Sequence, residues 1–326
     1  MGTRRTGPPF RAHRYRALGP TLEQLASHRI LELFHEFRDQ PFVFVEPGGN
    51  AGDSLIYRGA EKLARAAGIS YTALNHAEFM RSASDPDAIV YLHGSGGYNS
   101  WCSGKPMEEL EKAATTHCGV VIQGPSTFHD DPSFLKRRVA DPLEHRKATH
   151  LFVFARERVS YDAIRRVLPS WTEPMLDHDT ALNLDFTDLD PGCPRGNHTF
   201  YAIRQDKEAR RFHHREFFGV WADPWKIARS FDPWLRLHAQ AAEIITNRLH
   251  SSIAGSILGK PTTLLPNSYF KNRAVWEYSL CERGVRWSEA APVEGLGRFL
   301  SVIPPARRLL STKFIQRLVR MCHGIG

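Results

Sequence analysis

The sequence predicts an α/β protein of two domains, each built on a mainly parallel sheet, with a cleft between them. Three observations carry this. Short apolar, β-rich runs are followed by glycine-rich turns and then by segments of helical period, and the alternation repeats along the chain. At 326 residues the chain is long for a single core. Residues 185–197 interrupt the alternation with Pro191, Gly192, Pro194 and Gly196, which marks a linker. The expected divisions are a flexible basic arm at 1–20, an N-terminal domain at 21–187, a C-terminal domain at 188–300 and a basic amphipathic helix at 301–326.

Residues 22–37 carry Leu25, Ile30, Leu33 and Phe34 at helical spacing. Residues 41–47 form a strand between two prolines. The turn Gly48-Gly-Asn-Ala-Gly-Asp53 follows, then a helix over 54–67 that Gly68 ends. Glycines here allow a tight turn and the approach of backbone N–H groups to an anion, and Asp53 is placed to cap the helix. The turn has neither the Walker nor the G-x-G-x-x-G spacing. An anion site and a purely structural turn both fit it.

A second strand, 88–93, runs into Gly94-Ser-Gly-Gly97 and a helix over 107–116. A third, 119–123, ends at Gly124, Pro125 and Ser126. The strand at 150–155 delivers Arg156 and Glu157 to its carboxyl end, ahead of a helix through Ile164 and Val167. A short edge segment within 175–184 holds Asp177, His178 and Asp179. The second domain opens at 199–204 and passes through a helix at 234–242. It then reaches a strand at 243–245, the turn carrying Arg248 and His250, a helix from Ser251 stopped by Gly259 and Pro261, and a strand at 262–265. In such βαβ units ligands gather beyond the carboxyl ends of strands, against helix N-termini. Arg248 and His250 fall there. The competing reading pairs Arg248 with a structural carboxylate and makes His250 a helix cap.

Charge and composition exclude several classes. Ten cations lie in the acid-free segments 1–16 and 307–326, so the body between them carries a net −2 of the chain's +8. A nucleic-acid groove needs a basic face on the folded domain, and none is expected. No apolar run reaches the roughly 18 residues of a spanning helix, and no signal-peptide pattern opens the sequence. The five cysteines lack metal or disulfide spacing, which points to reduced cytosolic thiols. Residues 307–321 interleave cations with Leu309, Leu310, Phe314, Ile315, Leu318 and Val319. That pattern suits either an anionic membrane surface or packing on the protein. No metal set emerges from His213, His214, Asp130, Asp131 or the 177–179 cluster, and no G-x-S-x-G elbow is present.

The polar residues at strand ends are Asn50, Asp53, His93, Ser126, Arg156, Glu157, Asp179, Arg248 and His250. Together they suit an anionic substrate and acid–base chemistry. Several motifs occur in a fixed order: Gly49-Asn-Ala-Gly-Asp-Ser-Leu-Ile56, the glycines at 94–97, Phe154-Ala-Arg-Glu157 with Ser160, and Asp179-Thr-Ala-Leu182. Thr246-Asn-Arg-Leu-His250, Gly259-Lys-Pro261 and Asn267-Ser-Tyr269 complete the series. In this order they resemble the polysaccharide pyruvyltransferases over residues 40–280. The sequence departs from the family at Gly124-Pro-Ser126, where many members carry a Pro-Gln-Ser type turn.

The resemblance implies a GT-B-like fold of two Rossmann-type domains with parallel sheets facing a central cleft. It also implies transfer of an enolpyruvyl unit from phosphoenolpyruvate to a sugar, giving a cyclic ketal and phosphate, with no metal or other cofactor. Arg156, Arg248 and Leu249 match the donor-binding positions, His250 the acid–base position, and Asp179 a second candidate. Gly49, Asn50, Asp53, His93, Gly96 and Glu157 are further cleft candidates. The acceptor expected is a bacterial exopolysaccharide or its lipid-linked repeat unit. The enzyme is expected in the cytoplasm, peripheral on the inner face of the plasma membrane. A nucleotide-sugar glycosyltransferase and a non-catalytic sugar- or anion-binding protein on the same fold remain the rival readings.

Overall fold

The computed structural model describes residues 29–129, 131–194, 196–210 and 220–290. The basic arm and the C-terminal amphipathic segment lie outside them, as do His213, His214 and Asp130.

Two all-parallel sheets form in succession. The first comprises β1 (Phe42–Glu46), β2 (Tyr71–Asn75), β3 (Ile89–Leu92), β4 (Val120–Ser126), β5 (His150–Ala155) and β6 (Thr172–Leu176), in the order β2-β1-β3-β4-β5-β6. The second comprises β7 (Thr199–Ala202), β8 (Val220–Ala222), β9 (Glu243–Thr246), β10 (Thr262–Leu264) and β11 (Val285–Trp287), in the order β11-β10-β9-β7-β8. The two share one winding scheme. In each, the first strand lies inside the second, and the chain reverses direction between the first and third strands. Two Rossmann-like α/β halves, as expected, are the result.

Both faces of the first sheet are covered, as an all-parallel sheet requires. Phe42, Phe44, Ile89, Tyr91, Ile122, Phe152 and Phe154 enter one apolar layer with Ile30 and Phe34 of the helix Arg29–Glu36. Val45, Val90, Leu92, Val121, Leu151 and Val153 enter the opposite layer with Leu110 and Ile164. The second sheet packs Phe200, Ala202, Ile244 and Leu264 against Trp234, Ile253 and Ile257. Among the described residues, no helix is long and apolar enough to cross a membrane.

Three strands escaped the sequence reading. β2 is an edge strand with half-exposed side chains, and β8 and β11 have three residues each, too few to show a period. The edge element expected within 175–184 is β6, so Asp177 to Asp179 lie just past its carboxyl end. The helix expected from Ser251 begins at Leu249, and the one expected at 234–242 spans Phe231–Ala239.

The helix Ser54–Ala67 stops at Gly68 as expected, with Gly68 at φ 71°. Its packing fixes the chain after β6. Thr180 donates its hydroxyl hydrogen bond to the Ile56 carbonyl at 2.8 Å, and a Cβ on Gly59 would stand 1.9 Å from the Thr180 carbonyl oxygen. Gly59→Ala therefore forces the helix off the turn that carries Asp179. A loss of about 1–3 kcal/mol in urea unfolding is expected, and an unchanged midpoint would show that this contact is not tight.

Candidate active site

In doubly wound sheets the crevice opens where the winding reverses, beyond the carboxyl ends of the two strands involved. In the first half those strands are β1 and β3, followed by the Gly48–Asp53 turn and the Gly94–Gly97 turn. In the second half they are β7 and β9, followed by Arg204–Glu208 and by Asn247–His250. A cavity of about 530 Å³ is lined from all four turns, by Gly49, Asn50, Asp53, Gly96, Arg204, Asp206, Glu208, Arg248, Leu249 and His250, and also by Arg156 and Lys271.

The Thr246-Asn-Arg-Leu-His250 stretch divides its labour. Thr246 donates through Oγ1 to the Ala202 carbonyl at 2.6 Å and accepts from the Arg248 amide at 2.9 Å. Asn247 Oδ1 accepts from the Arg204 amide at 2.8 Å. These bonds join the ends of β7 and β9 and aim the two residues that follow. Arg248 donates from Nε to Asp223 Oδ1 at 2.7 Å, from Nη2 to Asp223 Oδ2 at 2.8 Å and from Nη2 to Asp206 Oδ2 at 3.2 Å. Arg248 is thus paired with carboxylates, as the competing reading had it, while also lining the cavity. Its Nη1 has no hydrogen-bond partner among the described residues. His250 is not a cap, since Arg248 holds the N-cap position of the helix Leu249–Ile257. The first-turn amides of Leu249, His250 and Ser251 have no carbonyl four residues back to bond, and all three residues line the cavity.

His250 bridges the two halves electrostatically. Its Nδ1 lies 3.0 Å from Asp53 Oδ1 and its Nε2 lies 3.6 Å from Asp179 Oδ2. Gly52 permits this approach, because a Cβ there would stand 2.9 Å from the His250 Cβ. Burial alone would discharge the imidazole, but the carboxylates of Asp179 and Asp53 beside it prevail and raise its pKa above the ordinary 6.5. Burial likewise opposes ionisation of Asp179 and Asp53. The His250 proton and the nearby Arg156 charge outweigh it and hold both carboxyls below their usual range. Arg156 completes the group, donating from Nη1 to Asp179 Oδ2 at 2.7 Å and from Nε to Thr127 Oγ1 at 2.8 Å.

A second charged chain runs along the C-terminal half. Arg204 holds Asp206 through Nε and Nη2 and Glu208 through Nη1, and Glu208 also pairs with Lys271. Burial opposes the charge on Glu208, yet Lys271 and Arg204 hold its pKa down to about 2. None of Arg204, Asp206, Glu208, Asp223 or Lys271 was picked out from the sequence. Asp223 follows β8 directly, so the strand-end rule would have found it had β8 been recognised. Arg204 lies two residues past β7, at the end of the recognised 199–204 segment, and was passed over. Lys271 lies two residues past the Asn267-Ser-Tyr269 motif, without a signal of its own.

Other expected site residues are placed differently. His93 is buried beneath the cavity among Phe44, Tyr57 and Tyr91, and burial pushes its pKa down to about 3. Glu157 is fully buried and caps the helix Arg158–Val167 by accepting from the Ser160 amide. Neither lines the cavity. Asp53 makes no cap to the helix Ser54–Ala67; its carboxylate instead accepts from the Asn50 amide at 2.8 Å and faces His250. Asn50 Oδ1 in turn accepts from the Gly52 amide at 3.0 Å. With the Asp53 amide also bonded to the Asn50 carbonyl, this turn spends three of its N–H groups on itself, as a structural turn does.

The profile of the polysaccharide pyruvyl transferase family matches residues 50–269. The chain belongs to that family, one of transferases that place a pyruvyl unit on a saccharide. No curated protein matches it. A crystal structure of a functionally uncharacterised protein from Klebsiella pneumoniae subsp. pneumoniae NTUH-K2044 is similar, with a TM-score of 0.59 and 22% identity. That match covers 80% of this chain and 98% of the other. At this identity the likeness supports the fold alone.

The raised pKa of His250 has a definite sign. Stability from its two ion pairs is fully present below the unfolded value near 6.5 and is lost as pH rises through the higher folded value. NMR titration of the imidazole should give a midpoint above 6.5, and Asp53→Asn should lower it. A midpoint at or below that of free histidine would contradict the bridge.

Proposed function

We propose that this chain transfers the enolpyruvyl unit of phosphoenolpyruvate to two hydroxyls of one sugar, in an exopolysaccharide or its lipid-linked repeat unit, and releases phosphate. The observation that carries the reading is the cavity itself. Cations from both halves converge there beside a histidine whose proton affinity two carboxylates raise.

The donor has a carboxylate and a phosphate, and forked guanidinium groups suit both. Arg156 and Arg248 take these roles, using Nη2 and Nη1, which have no hydrogen-bond partner among the described residues. The free amides of Leu249, His250 and Ser251 add a helix N-terminus for one of the anionic groups. His250 gives a proton to the terminal vinyl carbon, which becomes the ketal methyl. The cation left at the central carbon is attacked by one sugar hydroxyl. The second hydroxyl then displaces phosphate at the same carbon. Of the two hydroxyl protons, one replenishes His250 and the other leaves with phosphate, so atoms and charge balance. Asp53 fixes the imidazole through Nδ1, and Asp179 ties the proton donor to Arg156. The arginines stabilise the departing phosphate.

Incubation with phosphoenolpyruvate and candidate acceptor glycans should release phosphate and give a new methyl singlet in the proton spectrum. Consumption of a sugar nucleotide instead, with phosphoenolpyruvate ignored, would assign the chain to glycosyl transfer. His250→Ala is expected to retain donor binding and lose about 10²–10⁴-fold in turnover.

Arg248 needs a paired test, because removing it strands the buried Asp223 carboxylate at a cost of about 3–5 kcal/mol. Arg248→Met with Asp223→Asn should regain stability over Arg248→Met alone, yet show no melting shift with phosphoenolpyruvate. A wild-type shift in the double variant removes Arg248 from donor binding. The basic segment 301–326 would keep the enzyme near a lipid-linked acceptor. Deleting residues 306–326 should abolish binding to anionic liposomes, and unchanged binding rejects that role.

A further inference from the structure

The donor-facing charges occupy one side of the cavity, and an aromatic corner adjoins them. Trp101 lines the cavity. Its ring stands edge-on to His129 at 5.0 Å and to Tyr269 at 5.3 Å, with interplanar angles of 90° and 77°. His129 comes from the first half and Tyr269 from the second, so the corner joins the two. Among the described residues, no ring stacks in parallel on the indole. Trp101 Nε1 and Tyr269 Oη are shielded from solvent and have no hydrogen-bond partner among the described residues. This corner therefore holds unmet hydrogen-bonding capacity.

The corner is built into the anion site. The buried Asn99 donates to the Gly96 carbonyl at 2.8 Å and accepts through Oδ1 from the amides of Trp101 at 3.2 Å and Cys102 at 2.9 Å. A Cβ on Gly96 would stand 3.1 Å from Arg156 Nη2 and 3.8 Å from Lys271 Nζ. The ammonium of Lys271 lies 5.2 Å from the centre of the Tyr269 ring. One turn thus sets both the indole and the approach to Arg156, and Lys271 returns the connection from the other half.

We propose that Trp101, backed by His129 and Tyr269, is the platform on which the acceptor sugar ring lies. A pyranose presents an apolar face of C–H bonds and a rim of hydroxyls. An indole offers a large, rigid apolar surface with one N–H donor at its edge. Such a surface beside the donor cations brings hydroxyls toward the carbon they must attack, whereas a further cation would favour a second anion. The inference rests on the pyruvyl-transfer reading and names the acceptor subsite of that same cavity.

The test uses full-length protein labelled with 5-fluorotryptophan, the Trp101 resonance being assigned from Trp101→Phe. Methyl glycosides of galactose, glucose, mannose and N-acetylmannosamine serve as probes. At least one should shift the Trp101 resonance. In Trp101→Ala, followed by saturation-transfer NMR, affinity for that glycoside should fall at least about tenfold, with partial recovery in Trp101→Phe. The melting shift with phosphoenolpyruvate should remain in both variants. If no glycoside moves the resonance, or Trp101→Ala binds glycosides like the wild type, the platform is refuted. If glycosides bind through Trp101 while phosphoenolpyruvate gives no shift in the wild type, the donor assignment fails and the platform stands.

Discussion

The site depends on the compensation of buried charge. Asp179 is fully buried, and Arg156 is nearly so. The carboxylate of Asp179 stays ionised there because Arg156 and His250 face it. Asp179 faces His250 from the opposite half, and His250 faces Asp53. Four ionisable groups from four separate turns thus form one chain of alternating sign. The two carboxylates raise the proton affinity of the imidazole between them, which makes the proton on His250 a property of the group and not of the imidazole alone.

The duplicated winding scheme explains why those turns meet. Each half places two loops at the reversal of its own sheet. The loops of the first half supply glycines, Asn50 and Asp53, while those of the second supply Arg204, Arg248 and His250. The functional asymmetry arises from the sequences of equivalent loops, since the scaffolds are alike. The absence of a side chain at Gly52 and the bonds made by Thr246 and Asn247 do no chemistry of their own, but they set the distances on which the charged chain relies.

Legibility in the sequence followed signal strength. The long apolar strands β1, β3, β4 and β5, and the Gly68 stop, were readable because period and punctuation agreed. Arg156, Asp179, Arg248 and His250 stood out because each follows a strand end within an ordered motif. His93 and Glu157 satisfy that same rule yet turn away from the cavity, one into the aromatic layer and one onto a helix terminus. Strand-end position fixes where a Cα lies and leaves open which way the side chain points. The ion partners Asp206, Glu208 and Lys271 were hidden for a different reason. Their significance comes from contacts across the fold, which no local pattern encodes.

One consequence follows from the pairing of cations with carboxylates. Arg156, Arg204, Arg248, Lys271 and His250 are each already matched by Asp179, Asp206, Asp223, Glu208 or Asp53. These five therefore present donors in fixed directions with their charge largely compensated, while Lys105 and Lys207 also line the cavity. A lone small anion gains little from such a surface, because each contact competes with an intramolecular carboxylate. A ligand that engages several unpaired N–H groups at once loses no more freedom on binding and makes more bonds. The arrangement favours a ligand that engages several of these groups at once over a small inorganic anion that can reach only one.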